Sequence, residues 1–214
     1  MTIRAVTFDA AGTLIAPMPS VGAVYAEVAQ AHGVNRSAGE LDAAFGPAFR
    51  AVQQRWGVPY GADDDDARRF WIEVVTATFG EALAHELCRG LYDTFAEARR
   101  WRVLPGAREA LAWCRQRGLR TAVVSNFDCR LPSLLQTLDL TVDTVVTSTM
   151  VGSAKPDPAP LRAAAERLGV MLDEVLHVGD SVAEDGGMCE ALGVRFLRVD
   201  GSIPSLETLS WEVP

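Results

Sequence analysis

Ile3-Arg4-Ala5-Val6-Thr7-Phe8-Asp9-Ala10-Ala11-Gly12-Thr13-Leu14 reads as a short apolar strand that stops on a carboxylate and turns at a glycine beside a hydroxyl. In an open α/β sheet, ligands gather beyond the carboxyl ends of the strands, so Asp9 is expected to face a site. A carboxylate placed there can attack an electrophile and form a covalent intermediate. Thr13 and the backbone N–H groups of the turn at Gly12 can hold an anionic oxygen. Position 11, two residues after the candidate nucleophile, is alanine and has no proton to give.

Working outward, Pro17-Met18-Pro19-Ser20 breaks the pattern. Helical spacing then takes over from Val21 to about Arg100. Helices are expected over 21–32, 38–55, 69–79 and 81–95, with Gly46-Pro47 kinking or dividing the second. Pro59-Tyr60-Gly61 reads as a turn, and Asp63 to Asp66 as a helix start favoured by the macrodipole, with metal binding by this run as an alternative. From Val103 onward, strands alternate with helices. Strands are expected at 119–125, 144–147, 174–180 and 194–199, with helices at 107–116, 131–138, 160–168 and 187–192. This alternation predicts an α/β fold: a Rossmann-like, doubly wound parallel sheet with an inserted all-α domain. The expected boundaries are 1–15 and 101–214 for the sheet domain and 16–100 for the insert.

Composition narrows the function. The chain has 214 residues, 49% hydrophobic and 22% charged, with a net charge of −8, which speaks for a packed core and against a nucleic-acid partner. No apolar run reaches the ~20 residues a membrane helix needs, and no signal peptide is visible. Cys88, Cys114, Cys129 and Cys189 have no paired or metal-type spacing; reduced packing thiols in a cytoplasmic protein are expected. Of 20 basic residues, only Lys155 is lysine. It sits in Ser153-Ala154-Lys155-Pro156-Asp157-Pro158, where a compact ammonium rather than a guanidinium is wanted.

Four segments thus set polar groups at strand ends or just beyond: Asp9 with Thr13, Ser125 with Asn126, Lys155, and Asp180 with Asp185. A nucleophile, a hydroxyl, a cation and an acidic pair suit phosphoryl transfer with Mg²⁺, which prefers oxygen ligands. In this order, Phe8 to Leu14, Val124-Ser125-Asn126, Ser153 to Pro158 and His177 to Asp185 resemble the four motifs of the haloacid dehalogenase-like (HAD) hydrolases with a helical cap. The resemblance implies a HAD core with a cap and Asp9 as nucleophile. Ser125, Asn126 and Gly12 would lie on the phosphoryl group, with Thr13 and Lys155 supporting Asp9. It further implies Mg²⁺ held by Asp9, the Ala11 backbone carbonyl, Asp180 and Asp185. The substrate would be a small phosphorylated molecule; oligomeric state is left open.

Ala11 departs from the phosphatase pattern, which carries there an Asp that protonates the leaving oxygen and later activates water. Three readings follow. One is a phosphatase that is weak, prefers good leaving groups, or draws another acid such as Asp128. The second is a metal-independent 2-haloacid dehalogenase, whose chemistry tolerates the loss; Gly179-Asp180 and Leu161 count against it. The third is a non-catalytic HAD fold that binds a ligand or partner. Phosphonoacetaldehyde hydrolysis is rejected, because the cap holds no lysine. His177 reads as a packed or hydrogen-bonded histidine rather than a base. Trp56, Trp71, Trp101, Trp113 and Trp211 read as core or domain-junction anchors.

Overall fold

The computed structural model describes residues 2–56, 60–61 and 63–208. Pro59 of the expected turn and Trp211 lie outside them. The chain divides into two compact units, one of Met1–Ala16 with Val103–Pro214 and one of Pro17–Arg102. The exchange points thus fall one and two residues later than the sequence reading places them.

Strand β1 (Ala5–Phe8) is buried throughout, as its unbroken apolar run requires. β2 (Ile15–Pro17) leads out of the first unit, and β3 (Trp101–Val103) leads back; the two pair as a short ribbon the sequence did not announce, because each has only three residues. Between them lie α1 (Val21–Ala31), α2 (Ala38–Trp56), α3 (Asp64–Phe79) and α4 (His85–Thr94). Helix α2 runs through Pro47 without dividing. Ala43 and Pro47 are both exposed, so the carbonyl that proline leaves without a partner faces water. Asp63 caps α3 by accepting from the Asp66 N–H at 2.8 Å, which places the aspartate run at a helix start. Two apolar clusters hold this unit, one around Tyr25, Leu41, Phe79 and Leu91, the other around Val52, Tyr60, Phe70 and Val74. Trp56 and Trp71 pack against the second.

In the first unit follow α5 (Ala107–Gln116), β4 (Arg120–Ser125), α6 (Arg130–Thr137), β5 (Thr144–Thr147), α7 (Ser148–Val151), α8 (Ala159–Leu168), β6 (Val175–Gly179), a π-helical turn at Val182–Gly186, α9 (Gly187–Leu192) and β7 (Arg195–Arg198). The five-stranded sheet has the order β5-β4-β1-β6-β7, with every pair parallel. This is the flanked parallel sheet the alternation predicts. Its core joins Ala5, Val124, Val146 and Val175 to Leu161, Ala164 and Leu168 of α8.

Candidate functional site

Register builds the site. Phe8 lies beside Val123 on one neighbour and Val178 on the other, so β1, β4 and β6 end at one edge. Asp9, Ser125 and Asp180 leave the sheet there, and the Asp9 N–H still reaches the Val178 carbonyl at 2.8 Å. Carboxylate oxygens of Asp9, Asp180 and Asp185, one from each, lie within 4.8 Å of one another. These acids belong to segments more than 170 residues apart.

Two glycines make the approach possible. Gly12 adopts φ +97°, and a Cβ there would lie 2.7–2.8 Å from the Asp180 carboxyl. A Cβ on Gly179 would meet the Asp185 carboxyl at 2.4 Å. Thr13 donates to Asp180 Oδ1 at 3.3 Å. Asp185 is carried by the π-helical turn, a distortion that often re-aims a side chain at a site.

Lys155 stands at the centre, its side chain 1% exposed. Its Nζ donates to Asp9 Oδ1 at 2.5 Å and to Asp185 Oδ1 at 2.6 Å. Burial works against the ammonium, but the two carboxylates prevail and hold its pKa above the ordinary lysine value. Asp185 is the mirror case. Burial would raise it, yet the hydrogen bond from His177 and the charge of Lys155 outweigh that and hold it below the usual carboxylate range. Asp9 and Asp180 are pushed up, Asp9 by burial against the pull of Lys155, Asp180 by burial and the charges of Asp9 and Asp185. Three carboxylates thus cluster beside one ammonium, which pairs with Asp9 and Asp185.

That imbalance is the test of fit for a cation. A cluster of oxygen donors with uncompensated negative charge suits a hard divalent ion such as Mg²⁺. Asp9 and Asp180 are the acids with charge to spare. Asp185 already accepts from Lys155 and His177 on Oδ1, and from the Ser181 N–H at 3.1 Å on Oδ2, so it stands behind them.

Two expected roles change. Asn126 was expected on the phosphoryl group, but its amide is spent on the backbone of Lys155: Nδ2 donates to the Lys155 carbonyl at 3.0 Å, and Oδ1 accepts from the Lys155 N–H at 2.7 Å. It clamps the loop that delivers the ammonium. Asp128, weighed as a substitute acid, is fully buried and gripped by Arg130, with Nη2 to Oδ2 at 2.6 Å and Nε to Oδ1 at 2.8 Å. Ser125, 3% exposed, hydrogen-bonds Asp9. Ala11 is exposed and offers only its backbone.

The reading of His177 as a packed or hydrogen-bonded histidine holds, but its partner was not foreseen. Thr7 and His177 are register partners on β1 and β6, and Thr7 Oγ1 lies 2.8 Å from His177 Nδ1. The available signal was a polar residue at the middle of each of two otherwise apolar strands.

Comparison with known proteins places this geometry. The haloacid dehalogenase-like hydrolase family matches residues 3–193. The mouse haloacid dehalogenase-like hydrolase domain-containing protein 3 is 37% identical, over 100% of this chain and 88% of its own. Among solved structures, a HAD phosphatase from Thermococcus onnurineus has a TM-score of 0.64 at 22% identity, covering 99% of this chain and 93% of that one. An L-2-haloacid dehalogenase has a TM-score of 0.71 at 20% identity, covering 92% and 84%. The chain belongs to the haloacid dehalogenase-like hydrolase family.

Proposed function

We propose that this chain is a Mg²⁺-dependent phosphohydrolase that acts on a small phosphorylated molecule through an aspartyl-phosphate on Asp9. The observation that carries the reading is a cluster of three carboxylates, two of them paired with a single buried ammonium. Held by Asp9, the Ala11 carbonyl and Asp180, Mg²⁺ would supply charge neutralisation for the phosphoryl oxygens. Lys155 fixes the rotamer of Asp9 and favours its ionised form against the effect of burial. An Asp9 oxygen attacks phosphorus while the bond to the leaving oxygen breaks. Ser125, Thr13 and the turn at Gly12 are positioned to receive the phosphoryl oxygens. Water then cleaves the acyl phosphate and regenerates Asp9.

Neither step finds a proton carrier at Ala11. General acid–base catalysis contributes about 10²–10⁴-fold, so the favoured substrates are those whose leaving group departs as a stable anion, such as aryl or acyl phosphates. The dehalogenase alternative loses ground to the charge surplus at Asp180, which a metal-free reaction leaves uncompensated. Ala11 favours a second reading, a binding protein of the same fold. A cytoplasmic setting belongs to the proposal, supported by four unbridged cysteines, three of them buried. No helix among the described residues is long and apolar enough to cross a membrane.

The test is phosphate release from p-nitrophenyl phosphate and from glycerol phosphate, with Mg²⁺ and with EDTA, in the wild type and in Ala11→Asp. The expected result is Mg²⁺-dependent turnover of the aryl ester, little of the alkyl ester, and a gain on the alkyl ester in Ala11→Asp. No release from either ester in either protein would favour the binding protein; metal-independent halide release from 2-chloropropionate would favour the dehalogenase.

A further inference from the structure

The hydrogen bonds around Asp185 do not end at Lys155. His177 is fully buried in the middle of β6, and its Nε2 lies 3.0 Å from Asp185 Oδ1, the oxygen that also accepts from Lys155. An ionised carboxylate only accepts, so Nε2 must carry the hydrogen. Nδ1 is met from the other side by Thr7, also fully buried, and Phe196 stacks over the ring at 6.3 Å between centroids and 21° between planes. The ring is therefore held on both edges and one face.

The polar chain runs from Thr7 through His177, Asp185 and Lys155 to Asp9, with successive distances of 2.8, 3.0, 2.6 and 2.5 Å. We propose that His177 is a positioning residue: by holding Asp185 Oδ1 it fixes the carboxylate that fixes the Lys155 ammonium on the nucleophile. A core histidine serving packing alone would leave its ring nitrogens on backbone or water. Here both are spent on side chains, one of which contacts Lys155. The π-helical turn adds a reason for the device. Asp185 sits on a distorted segment, and its other oxygen is tethered only to the Ser181 N–H. Without His177 the carboxylate can rotate, taking the ammonium with it. The effect on catalysis rests on the phosphohydrolase reading; the effect on Lys155 does not.

Lys155 is the only lysine of the chain, which makes the test direct. Protein labelled with [¹⁵N]lysine carries one side-chain ammonium signal. An ammonium held by two carboxylates in a buried site exchanges slowly enough to be observed. In His177→Leu that signal should shift or broaden away. In His177→Gln, whose amide reaches about as far as Nε2, it should return. In His177→Asn, whose amide reaches only the Nδ1 position and so Thr7, it should not. With p-nitrophenyl phosphate, kcat should fall about 10–100-fold in the Leu and Asn variants, the range seen when partners behind a site are removed, with KM little changed and Gln restoring most of the rate. A lysine signal identical to wild type in folded Leu and Asn variants would overturn the proposal. Should the Leu variant not fold, the Gln and Asn pair decides alone: equal lysine signals in the two would overturn it. A wild type without phosphatase activity but with the predicted pattern of lysine signals would overturn the reading of function and leave the positioning role standing.

Discussion

Replacing Lys155 by methionine isolates the charge at the centre of the site. Methionine fills a similar volume and removes the one cation that offsets Asp9 and Asp185. Both carboxylates stay where they are, 8% and 1% exposed, and Asp9 keeps its interaction with the hydroxyl of Ser125. Breaking a buried pair by removing one partner costs about 3–5 kcal/mol. For a chain of this length each kcal/mol moves the melting midpoint by roughly 2–4 °C, so the variant in EDTA at pH 7 should melt about 6–20 °C lower. The sign with pH follows from linkage. The lysine, its pKa raised in the folded state, contributes in full below its ordinary value and is lost only at far higher pH. Between pH 5 and 8 the lysine itself stays charged, and its contribution changes only as the raised Asp9 carboxyl takes up a proton. In the variant Asp9 rises further and Asp185 loses part of the pull that holds it down, and protonation relieves both, so the penalty should shrink toward pH 5. Lys155→Arg completes the set: charge is kept, but a planar guanidinium replaces a compact ammonium in a fully enclosed space, and stability should fall between the other two. Calorimetric or circular-dichroism melts at pH 5 and pH 7 measure all three. A methionine variant within 2 °C of wild type at pH 7, or one with a penalty that does not change with pH, would refute the charge argument.

Two further outcomes are expected. The raised pKa values of Asp9 and Asp180 mean that the folded, metal-free protein binds protons more readily than the unfolded chain, so its stability should fall as pH climbs from about 4 through neutrality. Mg²⁺ should reverse that fall, giving about 2.7 kcal/mol at a hundredfold excess over its dissociation constant, and Asp180→Asn should abolish the response; an unchanged Mg²⁺ response in that variant would remove Asp180 from the cation site. Among the thiols, burial pushes Cys114 and Cys189 up to about 12 and raises Cys88, whereas Cys129 is exposed. Ellman's reagent should therefore modify one thiol in the native protein and four in denaturant, and two or more fast native thiols would contradict the burial of the rest.

What the sequence showed depended on how each residue acts. Strand-terminal acids announce themselves: an apolar run that stops at Asp9 or Asp180 is visible by eye, and a parallel sheet then brings the ends together without further information. The lone lysine was visible by composition. Residues whose role is to satisfy a neighbour were not. Asn126 reads as a phosphoryl contact until the Lys155 backbone is seen between its two amide atoms, and Asp128 reads as a spare acid until Arg130, two residues on, is seen folded back onto it. Such pairings are set by side-chain rotamers, and a linear pattern carries no trace of them. The π-helical turn escaped for a similar reason: one extra residue between Ser181 and Gly187 changes the aim of Asp185 without changing the helical spacing around it.

Ala11 gains meaning from the charge distribution around it. With the three acids ionised and Lys155 charged, the site carries two negative charges beyond its own compensation, the amount a divalent cation removes. An aspartate at position 11 would add a third, on an exposed segment where it could exchange protons with solvent. Its absence leaves the cation site and the nucleophile untouched, since the carbonyl at position 11 belongs to the backbone whatever the side chain. On the proposed reading, alanine here separates two functions that a single aspartate would combine, cation binding through the main chain and proton transfer through the carboxyl. It removes only the second. On the proposed phosphohydrolase reading, a protein built this way would keep the means to make an acyl phosphate and lack the residue that speeds its loss, so formation should outrun hydrolysis whenever the leaving group needs no proton. Phosphoenzyme should then accumulate, visible as a burst of p-nitrophenol equal to the enzyme concentration before the slower steady rate. A linear time course from the first turnover would place the slow step before attack by Asp9 and would disconnect Ala11 from the second half of the reaction.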